Sequence, residues 1–233
     1  KFYEEWKQKR LNWHLALGLG QENYRFHDHE KLAHYANAAA DIEFKFPFGF
    51  KELEGIHSRT DFDLGAHEKY SGRKLQYFDP ERNETYVPYV VETSIGLDRM
   101  FLALFSHCLK NEVLEDGSER VVLALPPALA PVKAAILPLV KKDGLPELAE
   151  KIFNDLKYDF NIISEEKDSI GKRYRRQDAI GTPFCITVDH DSLADGTVTL
   201  RERDTMKQER VKIEDLRKII DDKVNFRTLL SKI

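Results

Sequence analysis

Apolar residues at Phe2, Trp6, Trp13 and Leu17 recur at near-helical spacing. The chain is therefore expected to open on an amphipathic helix, stopped by Gly18 and Gly20. Residues 28–40, rich in alanine, read as a second helix. Strand-like runs follow over 41–46, 50–56, 75–78 and 86–94, the last rich in valine and tyrosine. Gly96 breaks that run. A helix is expected over 97–109, with Met100, Phe101, Leu104 and Phe105 as its apolar positions. Pro126, Pro127 and Pro131 exclude a continuous helix, so the expected division is 1–125, a connector at 126–131, and 132–233. Beyond the connector the pattern alternates. Strands are expected over 132–140, 160–164 and 183–189, and helices over 146–157 and 168–180. A hairpin of 197–203 with 207–213 and a final helix from Glu214 complete it. Five strands and about three helices make a small α/β domain on a mixed sheet.

The composition, 42% hydrophobic with 11% aromatics, suits packed domains rather than a disordered chain. A net charge of -4 excludes a uniformly basic nucleic-acid binder but leaves room for a local basic face. Cys108 and Cys185 lie far apart in apolar contexts, as reduced core thiols do. No run reaches the ~20 apolar residues of a membrane span, and no signal peptide is evident. A cytoplasmic protein without a membrane partner is the expectation. The opening at Lys1, straight into a helical pattern, suggests a piece of a longer protein, and removal of a tag would look the same.

Candidate chemistry gathers at Glu92-Thr93-Ser94-Ile95-Gly96-Leu97-Asp98-Arg99, a strand-to-helix junction. Strand alternation puts Glu92 and Ser94 on one face, where carboxylate and hydroxyl can hold an ammonium group. Gly96 lets a ligand approach the backbone. Arg99, on the first helical turn, can clamp a phosphate or stack on a purine. From these eight residues alone, a strand end followed by a capped helix with a surface salt bridge serves as well. Upstream, Glu52-Leu53-Glu54-Gly55-Ile56 reads as a strand with two carboxylates on one face, natural Mg²⁺ ligands beside a polyphosphate. An exposed acidic edge strand explains that run too. His27, His29 and His34 cannot share one helical face, so no zinc is expected there. Lys172, Arg173, Arg175 and Arg176 crowd one predicted helix, and Arg201, Arg203, Lys207 and Arg210 lie on the hairpin. Together they are expected to face RNA rather than form an ordinary solvated surface, with Tyr174 or Phe184 available for stacking on splayed bases.

Residues 92–104 resemble motif 3 of the class II aminoacyl-tRNA synthetases in its glycyl-specific form, placed here at 86–107. The 52–56 run, followed by Arg59 and Asp63-Leu64, is similar to the segment that precedes that motif in glycyl enzymes. Residues 25–36 resemble the bacterial dimeric type, related to the eukaryotic form. Ser169-Ile170-Gly171-Lys172-Arg173-Tyr174-Arg175-Arg176 and Gly181-Thr182-Pro183-Phe184 resemble the anticodon-binding domain shared with some other class II members. The resemblance implies the last part of an antiparallel-sheet catalytic domain followed by an anticodon-binding domain.

By that resemblance, the parent joins glycine to tRNA-Gly through a glycyl-adenylate, using ATP and Mg²⁺. Glu92 and Ser94 would hold the glycine ammonium, with Gly96 bordering the pocket and Arg59 facing the glycine carboxylate. Glu52, Leu53, Gly96, Leu97, Asp98 and Arg99 would line the ATP side, with Glu52 near Mg²⁺. Lys172, Arg173, Arg175, Arg176, Arg201 and Arg203 would contact tRNA. The full-length protein would be a homodimer. Motifs 1 and 2 are not found, so the chain alone is expected to lack adenylation activity. A non-catalytic tRNA-binding module keeping an unused motif 3 is the alternative, and a class II synthetase for another amino acid is the third reading.

Overall fold

The opening helix forms as α1 (Phe2–Ala16), but its buried side chains are Lys7 and His14, while Trp6 and Trp13 are half-buried. Tyr3, Arg10 and His14 bond to the neighbouring sheet, while Phe2 stays 61% exposed. In the computed structural model, which describes residues 1–231, the second expected helix is absent. Instead Tyr24–Asp28 form β1, a loop follows, and Ala38–Phe46 form β2. The helix propensity of alanine amounts to a few tenths of a kcal/mol per residue. Here it is outweighed by ladder hydrogen bonds and burial, with Ala40 fully buried in the sheet.

β2 turns into β3 (Gly49–Ser58), and β6 (Val91–Ile95) adds to its far side. The resulting sheet is antiparallel throughout, in the order β1-β2-β3-β6. Between β3 and β6 lie α2 (Phe62–Ser71) and a hairpin of β4 (Tyr77–Asp79) with β5 (Glu84–Tyr86). The single strand expected over 86–94 is split because Pro88 has no amide hydrogen to give a ladder. α3 (Leu97–Cys108) follows β6 directly.

Contacts divide the chain at Ser106/His107, not at the prolines. The reason is the hairpin β7 (Leu109–Val113) with β8 (Glu119–Leu123), which the sequence pattern did not announce. Arg120 of β8 ties it to the helix at 170–180 through Asp178. In this second unit, β9 (Ala134–Pro138) is flanked by β10 (Ile162–Ser164) and β11 (Phe184–Val188), both parallel to it. β12 (Thr197–Glu202) and β13 (Gln208–Lys212) continue antiparallel, giving the mixed order β10-β9-β11-β12-β13. α4 (Leu145–Leu156) and α7 (Leu216–Val224) close the main core on one face around Ile136, Ile186 and Leu200. α5 (Ile170–Ile180) covers Ala135, Leu137 and Cys185 on the other. The short helices α6 (His190–Asp195) and α8 (Phe226–Leu230) follow β11 and α7. No helix of the described residues is long and apolar enough to cross a membrane.

Candidate functional site

Glu92 lies opposite His57 on β3, and Ser94 lies opposite Gly55. Gly55 in turn faces Asp41 of β2, which faces His27 of β1. These residues make a polar sheet face. The opposite face carries Thr93, which accepts a 2.6 Å hydrogen bond from Trp6 of α1. At Gly55 the missing side chain opens this surface, since a Cβ there would sit 3.1 Å from the His57 ring and 3.6 Å from an Asp41 oxygen. His29 bonds to Asp41 at 2.9 Å, so this histidine is held within the polar face.

Glu92 is aimed by Arg59, whose Nη1 donates to its carboxylate at 2.5 Å. The guanidinium is itself fixed by two hydrogen bonds to Asp63, at 2.6 and 3.1 Å, and lies over the Tyr35 ring at 4.0 Å. Hydrogen bonds to Asp63 and then Glu92 raise the Arg59 pKa further above its usual range, and the same contact holds the Asp63 carboxyl below its own. Arg59, expected to meet a substrate carboxylate, is engaged by protein carboxylates in this structure and clamps Glu92. Glu92 keeps a side chain 37% exposed.

The expectation that Glu52 and Glu54 share a face fails. A register shift at Ile42/Glu43 pairs Glu54 with Ile42 and Glu52 with Glu43, adjacent β2 residues that point to opposite faces. Glu52 stays exposed beside Arg99, which donates to the Glu52 carbonyl at 2.8 Å and meets its carboxylate at 3.0 Å. Leu53, expected beside ATP, is a core side chain 1% exposed and offers only its backbone. Ser94, Gly96, Leu97, Asp98 and Arg99 are exposed together at the junction.

Glu54, expected with Glu52 as a carboxylate suited to Mg²⁺, is instead fully buried. Arg10 donates to it at 2.5 and 2.9 Å, and His14 lies 2.7 Å away. Burial pushes this carboxyl up, but the hydrogen bonds from His14 and Arg10 prevail and hold it below the usual range. The helical spacing of Arg10 and His14 was the signal that could have found it.

In the second unit the expected basic face separates into two groups. Arg173, Arg201 and Arg203 are 2%, 3% and 1% exposed, so these three do not face RNA. Arg173 donates to the carbonyls of Pro138, Leu139 and Glu165. Arg201 holds Asp178 with two hydrogen bonds, at 2.8 and 3.0 Å. Arg203 donates to the carbonyls of Gly181 and Leu125. Backbone acceptors at strand and helix ends need such donors once water is excluded. Arg176 is half-buried and engaged by Glu165 and Asp168. Lys172, Lys207 and Arg210 are exposed and Arg175 is half-buried, with Arg210 turned to Asp189. Phe184 is a core residue, and Tyr174 bonds to Thr187 at 2.6 Å with its ring partly accessible.

Residues 133–223 match the family model described as an anticodon binding domain. The chain is 55% identical to the glycine--tRNA ligase of Chlorobaculum tepidum over 210 residues, covering 90% of this chain and 44% of that one. Similarity to the glycine--tRNA ligase of Borrelia hermsii is 53% over 92% of this chain and 49% of the relative. For that of Geobacillus thermodenitrificans it is 51% over 97% and 48%. The chain thus spans a little under half the length of these relatives. A solved structure, the RNA binding domain of threonyl-tRNA synthetase from Cryptosporidium parvum Iowa II, overlays with a TM-score of 0.60 at 20% identity. It covers 81% of this chain and 43% of its own, and carries the likeness of fold.

Proposed function

We infer from this homology, which runs along nearly the whole chain, that it is the C-terminal part of a glycine--tRNA ligase: the end of the catalytic domain, then the anticodon-binding domain. The full-length parent would activate glycine with ATP, release pyrophosphate, and pass the glycyl group to the 3' end of tRNA-Gly. The observation that carries the reading is Glu92, an accessible carboxylate fixed by Arg59 on a polar sheet face, in a chain 97% of which aligns with about half of a ligase of glycine.

Adenylation is an in-line displacement at the α-phosphate, and it asks for positioning and charge neutralisation more than for a general base. Glu92 would take the ammonium of glycine, with the Ser94 hydroxyl as a further acceptor. Arg59 acts through Glu92 as a positioning residue, fixing its rotamer from Asp63 and Tyr35. Glycine would be selected by excluded volume, a site fitted to it leaving no room for a larger side chain. Arg99, with Gly96, Leu97 and Asp98 exposed around it, would face the nucleotide. Glu52, a half-exposed carboxylate beside Arg99, would serve as one oxygen ligand of Mg²⁺. When bound with ATP, that ion would neutralise phosphate charge. The second unit would hold tRNA-Gly, and the parent would work as a cytoplasmic homodimer.

Glycine-dependent exchange of pyrophosphate into ATP tests the reading. The full-length parent should exchange with glycine and not with alanine, and this chain alone should not exchange. No exchange at all by the parent would leave the non-catalytic tRNA-binding module as the better account, and exchange driven equally by alanine would leave a class II synthetase of another specificity.

A further inference from the structure

The glycine assigned to Glu92 is a zwitterion, and its carboxylate needs a donor of its own. Donors on the polar sheet face are few, and most are committed. Arg59 is bound to Asp63 and Glu92, His29 to Asp41, and Arg99 to Glu52. His27 stands on β1, two strands away from β3. His57 is different. It lies directly opposite Glu92 in the ladder, half-buried, and its side chain makes no hydrogen bond to another described residue. Two small residues give its ring room. Ala39 is its partner on β2, and across it the His29 ring meets the His57 ring edge-on at 5.9 Å. At Gly55, a Cβ would sit 3.1 Å from the ring's Cε1 and 3.6 Å from Nδ1, so this edge of the imidazole leans over the glycine. Nδ1 is closed to solvent and has no partner. A sealed N–H without an acceptor is the costlier orphan, so the proton belongs on Nε2. An imidazole N–H unclaimed by the protein thus stands next to the carboxylate that Arg59 fixes.

We propose that His57 is the second anchor of the substrate: its Nε2–H donates to one oxygen of the glycine carboxylate while Glu92 takes the ammonium. The proposal rests on the reading of Glu92 as the ammonium site. Side chains directly opposite each other in a sheet have Cβ atoms ~4.5–5.5 Å apart, a spacing that glycine can bridge with both charges on one carbon. The carboxylate oxygen that His57 leaves open attacks the α-phosphorus of ATP. The new O–P bond forms as the bond to pyrophosphate breaks, and His57 keeps its proton throughout. Holding one oxygen fixes which of the two attacks, which is positioning rather than acid–base work. The held oxygen becomes the carbonyl of the adenylate, passing from a charged acceptor to a neutral one. A hydrogen bond to a charged group is the stronger of the two. The contact therefore weighs on KM for glycine more than on kcat. His57 touches the substrate itself, whereas Arg59 acts through Glu92.

Steady-state pyrophosphate exchange by the full-length parent is the test, with ethylamine as a competing ligand that carries the ammonium but no carboxylate. In His57→Ala the KM for glycine should rise about tenfold or more, with kcat and the KM for ATP little changed. Inhibition by ethylamine should stay as in wild type. His57→Gln carries an N–H at comparable reach and should recover most of the lost affinity for glycine. In Glu92→Gln, by contrast, glycine and ethylamine should weaken together. An unchanged KM for glycine in His57→Ala overturns the proposal while the ligase reading stands. A loss shared equally by glycine and ethylamine overturns it too, since a merely disturbed sheet face would produce that. So does a His57→Gln variant no better than His57→Ala, which would deny His57 a donor's role. If the wild-type parent shows no glycine-dependent exchange, the proposal and the reading beneath it fall together.

Discussion

Removing Asp178 should do more harm to the second unit than any surface change. Its carboxylate is fully buried, between Arg201 at 2.8 and 3.0 Å and Arg120 at 3.1 Å. Both guanidinium side chains are nearly sealed, at 4% and 2% exposed. In Asp178→Leu, Arg120 keeps Glu112 at 2.7 Å and the Arg203 carbonyl at 2.9 Å. Arg201 keeps the face of Tyr174 and the neighbouring Cys185 thiol but no charged partner among the described residues. Stranding a buried charge in this way costs ~3–5 kcal/mol, whereas replacing both partners with apolar groups of like volume is often close to neutral. Asp178→Leu should therefore lose ~3–5 kcal/mol, a large share of the 5–15 kcal/mol typical of a domain. The double variant Asp178→Leu with Arg201→Met should recover much of that loss. Urea unfolding followed by far-UV circular dichroism is the assay. Tryptophan emission is not suitable, because Trp6 and Trp13 both lie in the first unit. A loss below about 1 kcal/mol for the single variant, or a double variant worse than the single, refutes the reasoning.

Three further outcomes follow from other contacts. Glu54 has its carboxyl pKa depressed in the fold, so its contribution is present above the ordinary carboxylate range of about 4.3. It is lost as pH falls through the folded value, and acid unfolding of Glu54→Gln should show a weaker pH dependence than wild type below about pH 4.3. Gly181→Ala should destabilise the second unit by ~1–3 kcal/mol, because φ is +85° and the new Cβ would lie 2.9 Å from the Leu123 carbonyl oxygen; a thermal melt reads it. Arg173→Ala should lower stability by freeing the carbonyls of Pro138, Leu139 and Glu165, while the salt slope of tRNA affinity in the folded variant stays as in wild type. An altered slope with unaltered stability would return Arg173 to the RNA face.

Much of the main sheet of the second unit was legible because its strands are short runs bounded by turn residues and its helices begin and end on clear signals. Pro146 opens α4 and Gly181, left-handed, ends α5. The first unit was harder. Residues 28–40 carry helix-forming alanines, and only the partners supplied by β1 and β3 make Ala38–Phe46 a strand. Two-residue alternation put Glu52 and Glu54 on one face, and a bulge, which leaves no mark in such a pattern, separated them. Glu92 and Ser94 were readable because no bulge interrupts β6. On α5, charge density suggested solvent, whereas Arg173 and Gln177, one helical turn apart, are both 2% exposed. A polar stripe at helical spacing looks alike whether it meets water or backbone carbonyls. Which of the two it meets is decided by Pro138 and Leu139, on a different strand end.

The central claim is that Glu92 holds the glycine ammonium, and its most direct test is steady-state pyrophosphate exchange by the full-length parent carrying Glu92→Gln. The substitution keeps the shape of a side chain 37% exposed and removes its charge, so folding should be spared. Losing one partner of a charged hydrogen-bonded pair costs ~2–5 kcal/mol, and ~1.4 kcal/mol is tenfold. The account predicts kcat/KM for glycine lower by about 10²-fold with the KM for ATP little changed. Unchanged kinetics for glycine would contradict it and remove Glu92 from the site.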